Sequence, residues 1–137
     1  MAGQTTGLQK TYVLESSTME QYRGVTRGTA DGSAKKPDAD NAMPLGIVCN
    51  DERLNDPLRS GGDQTGRNIA VMLDGIGNIK VSGDVSYGEK VILAEDGLAK
   101  ALPAVAGTYN VLGIAEKSGV DGDIVPVRIQ IFPIVVA

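Results

Sequence analysis

The residues that could do chemistry in this chain are few, and their spacing does not favour it. Cys49 is the single cysteine, and there is no histidine. A thiol nucleophile needs a neighbour that stabilises its thiolate, most often an imidazole. Cys49 instead ends the apolar run Leu45-Gly46-Ile47-Val48-Cys49, the setting of a small buried strand residue. A lone cysteine cannot make an internal disulfide or a cysteine-rich zinc site. Asp38, Asp40 and Asn41 crowd one stretch that could suggest calcium. The glycine and the distant glutamate of an EF-hand loop are missing, so a solvated loop is expected. Asp121-Gly122-Asp123 pairs two carboxylates around a turn glycine ahead of an apolar run. Leu73-Asp74-Gly75-Ile76-Gly77-Asn78 holds a G-x-G. It has no third glycine and no following helix, so it reads as a hairpin turn and not a phosphate cradle. No Ser-His-Asp set can exist without histidine, and no Ser–Lys pair is marked out. The expectation is no catalytic residue, no cofactor and no metal.

The elements that would position any site are strands. The chain has 137 residues, 42% of them apolar, with one Phe, four Tyr and no Trp. Such a core is built from Val, Ile, Leu, Ala and Met, which suits thin β layers. Eighteen Gly and six Pro call for frequent turns. Strand runs are expected at Tyr12–Leu14, Leu45–Cys49, Asn68–Leu73, Ile76–Val81, Glu89–Ala94, Ala99–Leu102, Tyr109–Ala115 and Ile124–Val136. Ser17-x-x-Glu20 matches a helix capping box, but no helix-period run follows. Residues 31–44 read as an irregular exposed connection, and 50–66 as a long polar loop with room for one helical turn. Residues 1–10 read as a flexible arm and 11–137 as a single all-β domain, barrel- or sandwich-like. The net charge of −4 disfavours nucleic acid and anionic membrane as partners. No apolar stretch approaches the roughly 20 residues of a membrane helix. Without a signal-like N-terminus, synthesis and assembly in the cytoplasm are expected.

The chain resembles itself across its two halves. Tyr22-Arg23-Gly24 matches Tyr87-Gly88-Glu89, and Ala30-Asp31-Gly32-Ser33-Ala34-Lys35 matches Glu95-Asp96-Gly97-Leu98-Ala99-Lys100. Leu45-Gly46-Ile47-Val48 matches Leu112-Gly113-Ile114-Ala115, and Gly66–Val71 matches Gly122–Val127. This predicts two diverged β units, about 19–81 and 84–137, in one body. Asp-Gly marks a tight turn. The glycine inside Leu-Gly-Ile marks a bulge or a close backbone approach, and Pro126 must face an edge or a bulge.

The ends carry the contact expectations. Residues 129–137 (IQIFPIVVA) are apolar to the last residue. They are buried either in their own sheet or against a neighbouring chain. The polar N-terminal residues could add a strand to a partner's sheet edge. The second half, with Gly88-Glu89-Lys90-Val91, Asp96-Gly97-Leu98-Ala99-Lys100, Val111–Ala115 and Gly122–Arg128, resembles the tailed-phage capsid cement or head decoration proteins. The resemblance covers about residues 83–131 and, more weakly, 22–73; the polar stretch 50–66 departs from it.

It implies a non-enzymatic protein on the outer surface of a mature icosahedral head. There it would bridge neighbouring major capsid proteins as a homotrimer at three-fold or quasi-three-fold positions. The expected contact residues are Gln4, Thr5, Thr6, Leu8, Tyr12, Phe132, Ile134, Val135 and Val136. The alternative is another virion-surface β module, tail or fibre associated and binding carbohydrate. Five aromatic residues offer little stacking surface for that role.

Overall fold

Period-two alternation sets the strands and their inward faces. A computed structural model describes residues 5–16, 19–48 and 65–137. The strands are β1 (Thr5–Thr6), β2 (Gln9–Leu14), β3 (Gly24–Arg27), β4 (Ser33–Lys35), β5 (Gly46–Val48) and β6 (Asn68–Met72). They continue with β7 (Gly75–Lys80), β8 (Lys90–Leu93), β9 (Ala99–Ala101), β10 (Gly107–Ala115) and β11 (Ile124–Val136). A single helical turn, Glu95–Gly97, links β8 to β9. The fold is mainly β, as expected. Met19 and Glu20 are not helical. Ser17, Thr18, Cys49 and most of the 50–66 loop lie outside the described residues.

Two bodies of strands result. β2-β4-β3-β5-β6 forms a closed barrel. Tyr12, Leu14, Val25, Ile69 and Val71 lie in its core. The other six strands run β1-β7-β11-β10-β8-β9. Val81, Val91, Leu93, Leu112 and Val127 fill that core, and Ile47 and Met72 of the first barrel join it. Two features of residues 1–44 differ from the sequence expectation. Thr5–Thr6 pair with β7 and Gln9–Lys10 with β6, so those residues of the expected arm are strand. Ser33–Lys35, inside the expected irregular connection, pair with β3 and with β2. Backbone donors beside a sheet edge find partners in the ladder, and that gain outweighs polar composition.

The two bodies are wired alike. In the first, Leu14 pairs in parallel with Ala34, and Glu15 N donates to Ala34 O at 2.9 Å. In the second, Val81 bridges Ala99 in parallel, and Ser82 N donates to Ala99 O at 2.7 Å. That bridge brings β7 to β9 and curls the second sheet round on itself. Leu14 N donates to Arg67 O at 2.8 Å and Val81 N to Asp123 O at 2.9 Å. Val48 N donates to Arg23 O at 2.8 Å and Ala115 N to Glu89 O at 2.9 Å. These pairs match β3 to β8 at an offset of 66, one more than the sequence match of Tyr22 with Tyr87. Backbone angles agree: Tyr22 has φ +62° and Gly88 φ +82°.

One packing constraint is common to both. A Cβ on Gly46 would run into Met72 O, with Val71 Cγ1 next. A Cβ on Gly113 would run into Arg128 O, with Val127 Cγ1 next. The ladder also shifts register between Val111 and Gly113. The obstacle is backbone of the neighbouring strand, which cannot rotate away. Gly46→Ala and Gly113→Ala should each destabilise the fold by about 1–3 kcal/mol or more, the usual cost of overpacking. Chemical denaturation measures this, and a change below about 0.5 kcal/mol, the range of a neutral surface substitution, would refute the close-approach reading.

Candidate contact surfaces

Asp40 and Asn41 stand where the sequence suggests a solvated loop, yet they clasp the barrel to the curled six-stranded sheet. Asn41 adopts φ +65°, a conformation asparagine tolerates. Its backbone N donates to Leu93 O at 2.8 Å. Its side-chain amide then takes both exposed groups of the β10 edge. Asn110 N donates to Asn41 Oδ1 at 2.7 Å, and Asn41 Nδ2 donates to Thr108 O at 3.0 Å. The amide thereby mimics a peptide group of one more strand. Asn110 Nδ2 returns a bond to Asn41 O at 3.2 Å. Next to it, Asp40 accepts from Glu95 N at 2.9 Å and from Lys100 Nζ at 2.8 Å. The Lys100 hydrogen bond, then the Glu95 amide, hold the Asp40 carboxyl below the usual carboxylate range. Among the described residues, no three His, Cys, Asp or Glu gather to hold a metal.

The clasp anchors a projecting ribbon. β11 pairs with β7 only from Ile124 to Arg128. Beyond that it pairs with β10 alone, to Val136↔Gly107. The expected C-terminal strand therefore lies in its own sheet. Phe132, Ile134 and Val136 are half-buried on one face, and Val135, on the other, is 74% exposed. Asn110 N is turned toward Asn41, so Asn110↔Pro133 is a pair without ladder hydrogen bonds. The backbone of Pro133 consequently faces the open edge, where it has no N–H to offer. Pro126 lies where β10 ends: its carbonyl accepts from Glu116 N at 2.8 Å, just past Ala115↔Val127.

The other expected contact residues divide. Gln4 lies outside the described residues. Thr5 and Thr6 pair with Ile76 and Gly75, and Ile76 pairs in turn with Arg128. The chain after Thr6, including the 63% exposed Leu8, therefore lies at the same end of the sheet as the start of the ribbon. Tyr12 is a correction. It is 5% exposed inside the first barrel, because β2 turns Tyr12 and Leu14 inward and Thr11 and Val13 outward. Tyr87, at 70% exposure, and Val105, at 71%, are exposed apolar residues that sequence reasoning passed over.

The family model for the structural cement proteins, described by E217 gp24 and Pam3 gp6, matches residues 2–130. This chain belongs to the phage structural cement protein family. A structural capsid-associated role follows from that membership, and the virion capsid is the setting it implies. Among solved structures, this cement protein is similar to the head fibre gp8.5 N base of bacteriophage phi29. The identity is 18%, the TM-score 0.62, and the match covers 90% of this chain and 93% of the other. At that identity the likeness speaks for the fold. No curated protein sequence matches. In the described residues of this cement protein, no helix is long and apolar enough to cross a membrane.

A second polar device stiffens the first barrel. Glu15 receives Ser33 Oγ, Thr29 N at 2.8 Å and Ala30 N at 3.0 Å, and so ties down the 28–33 hairpin. The Ser33 bond first, then the Ala30 and Thr29 amides, lower its pKa from 4.5 to about 2. A depressed carboxyl contributes stability in full above its unfolded pKa and loses it as pH falls through the folded one. Wild-type protein should thus lose this contribution as pH falls from about 4.5 to about 2. Glu15→Gln should unfold at lower temperature near neutral pH and show a flatter acid limb in that window. Equal acid limbs by thermal melts across pH would contradict the tie. For the clasp, Asn41→Ala removes the two side-chain bonds to Thr108 O and Asn110 N and should cost about 1–3 kcal/mol. Hydrogen exchange should report lost protection at Asn110, and unchanged protection there would refute the anchoring role.

Proposed function

We propose that this chain is a non-enzymatic cement protein on the outer surface of a mature phage head, where it bridges neighbouring major capsid proteins as a homotrimer. The observation that carries the contact assignment is the β10–β11 ribbon. From Ile129 to Ala137 it holds no charged residue, and it extends past the last pairing of β11 with β7. A solvated two-stranded ribbon is marginal on its own. Exposed apolar surface of this kind marks a contact site. Phe132, Ile134, Val135 and Val136 serve as the apolar anchor, and Thr5, Thr6 and Leu8 add the flank that shares its end of the sheet. Gln4 extends that flank. Three-fold or quasi-three-fold positions suit a trimer whose subunits each touch a different capsid protein.

Avidity supplies the energetics. Contacts to several shell subunits add without repeating the full association cost. Binding only to the assembled lattice stabilises that state over the ruptured one by mass action. Nucleic acid and membrane have no part in this mechanism, and assembly takes place in the host cytoplasm.

Particles lacking the protein should rupture at lower temperature than decorated ones, and adding purified protein back should restore the difference. Equal rupture temperatures would sink the proposal. Phe132→Asp with Val135→Asp should weaken particle binding by about tenfold or more, the loss of one anchor's worth of contact. Co-sedimentation with undecorated heads reads it. Unchanged binding would move the contact away from the ribbon.

A further inference from the structure

A strand edge lies open on the barrel where its counterpart on the six-stranded sheet is filled. β2 and β7 hold matching positions, Leu14 standing for Val81. Leu14↔Ala34 answers to Val81↔Ala99, and Leu14 N–Arg67 O to Val81 N–Asp123 O. Glu15 N–Ala34 O likewise answers to Ser82 N–Ala99 O. Gln9 of β2 therefore stands for Ile76 of β7. On β7, Lys80 N donates to Tyr22 O, so Ile76, Asn78 and Lys80 turn their backbone groups away from β11. Thr5 of β1 pairs with Ile76 on that side. On β2, Leu73 N donates to Leu8 O and Leu14 N to Arg67 O, so Leu8, Lys10, Tyr12 and Leu14 face β6. Gln9, Thr11 and Val13 face the other way. Val13 N finds Gly32 O at 2.9 Å. Gln9 and Thr11 each hold an N–H and a C=O toward that side, and among the described residues nothing meets them. Leu8 through Thr11 are all exposed.

Side chains beside this edge can choose what it takes. A cleft of about 380 Å³ is walled by Tyr12, Arg27 and the 28–33 hairpin. The Glu15 carboxylate holds that hairpin in shape through Ser33, Thr29 and Ala30. Lys10 lies on the Tyr12 face of β2, its Nζ 5.2 Å from the ring centre. A residue opposite Lys10 on an added strand shares that face and points toward the cleft. Lys10 and Arg27 make no ion pair among the described residues. Asp31, on the same wall, offsets one of these two charges, and one acidic side chain would offset the other. A second copy fits the edge badly. Pairing two β2 edges so that every open group bonds sets Gln9 opposite Thr11 and Lys10 directly opposite Lys10, where like charges repel.

We infer that the Gln9–Thr11 edge accepts an extended segment of the capsid shell protein as an added strand, as β7 accepts β1, with an acidic residue opposite Lys10. Main-chain bonds supply the affinity of such an addition, and the cleft supplies its selectivity. The hairpin is already ordered, which lowers the cost of docking. The edge begins beside Leu8 and so continues the Thr5, Thr6 and Leu8 flank of the proposed contact surface. The inference rests on the reading that the shell is the partner, and it adds a grip that does not depend on the ribbon.

Amide hydrogen exchange on the full chain, free and bound to undecorated heads, tests it. In the free protein Gln9 and Thr11 should exchange fast, while Lys10 and Tyr12, bonded to β6, exchange slowly. On heads, Gln9 and Thr11 should become slow. Thr11→Pro removes one outward N–H and spares the β6 ladder. It should weaken co-sedimentation with heads by about three- to tenfold, the worth of one hydrogen bond. Lys10→Glu, which alters no backbone group, should also weaken it, and Lys10→Arg should not. Slow exchange at Gln9 and Thr11 in the free protein, or fast exchange there on heads, overturns the inference and leaves the cement reading standing. Head binding unchanged by both Thr11→Pro and Lys10→Glu does the same. A protein that binds no heads overturns both.

Discussion

Both bodies of strands turn on a strand crossing its neighbour closer than a side chain allows. Gly46 lies against Met72 O and Gly113 against Arg128 O, each with a valine methyl beside it. Close approach at that point bends β5 and β10 across their partners and lets a short set of strands curl round a core of valine, leucine and isoleucine. The core has almost no aromatic volume to fill a wider barrel, with one Phe and no Trp in the chain. Small residues at the crossings and small branched residues within are two sides of one constraint. The turns, the hairpins and the ribbon are hung on strands this crossing has placed.

The second constraint lies where the two bodies meet. β8 pairs with β10 only from Val111 to Ile114, and Asn41 of the barrel serves the β10 edge beyond it by presenting an amide where a strand would present a peptide group. Lys36, Pro37 and Asp40 close around the Glu95–Gly97 turn. Ile47 and Met72, both of the first barrel, sit in the second core. Polar bonds thus fix the angle of the junction, while apolar side chains supply its area. A junction built from both has one register.

Much of the fold is legible in the sequence because its signals are local. Asp-Gly turns, alternating runs and the Leu-Gly-Ile motif each report on a few adjacent residues. The strands at 68–72, 75–80 and 124–136 fall where those signals put them. Three things are not local. The one-residue shift between Tyr22 and Gly88 is invisible to letter matching, because a tyrosine and a glycine share a backbone angle there. The Asn41 clasp joins residues 69 positions apart. Tyr12 carries a polar tip on an apolar body, and only the inward parity of β2 decides that it is core. The contact surfaces suffer most from this. Whether an apolar residue such as Val105 or Leu102 is covered depends on which neighbour reaches it, and that is a property of the whole fold.

The ribbon sets a problem that its own geometry answers. An apolar strand with an open edge invites uncontrolled pairing with other strands. Lysine commonly guards such edges, but residues 129–137 have no charge to spare. Pro133 takes that role: it points its donor-less nitrogen outward, where any added strand would need an N–H. The other edge of the ribbon is occupied by Asn41 at Thr108 and Asn110. With Pro133 obstructing one edge and Asn41 occupying the other, association favours the faces. Face contacts depend on shape and side-chain fit, where edge contacts depend mainly on backbone that every chain shares.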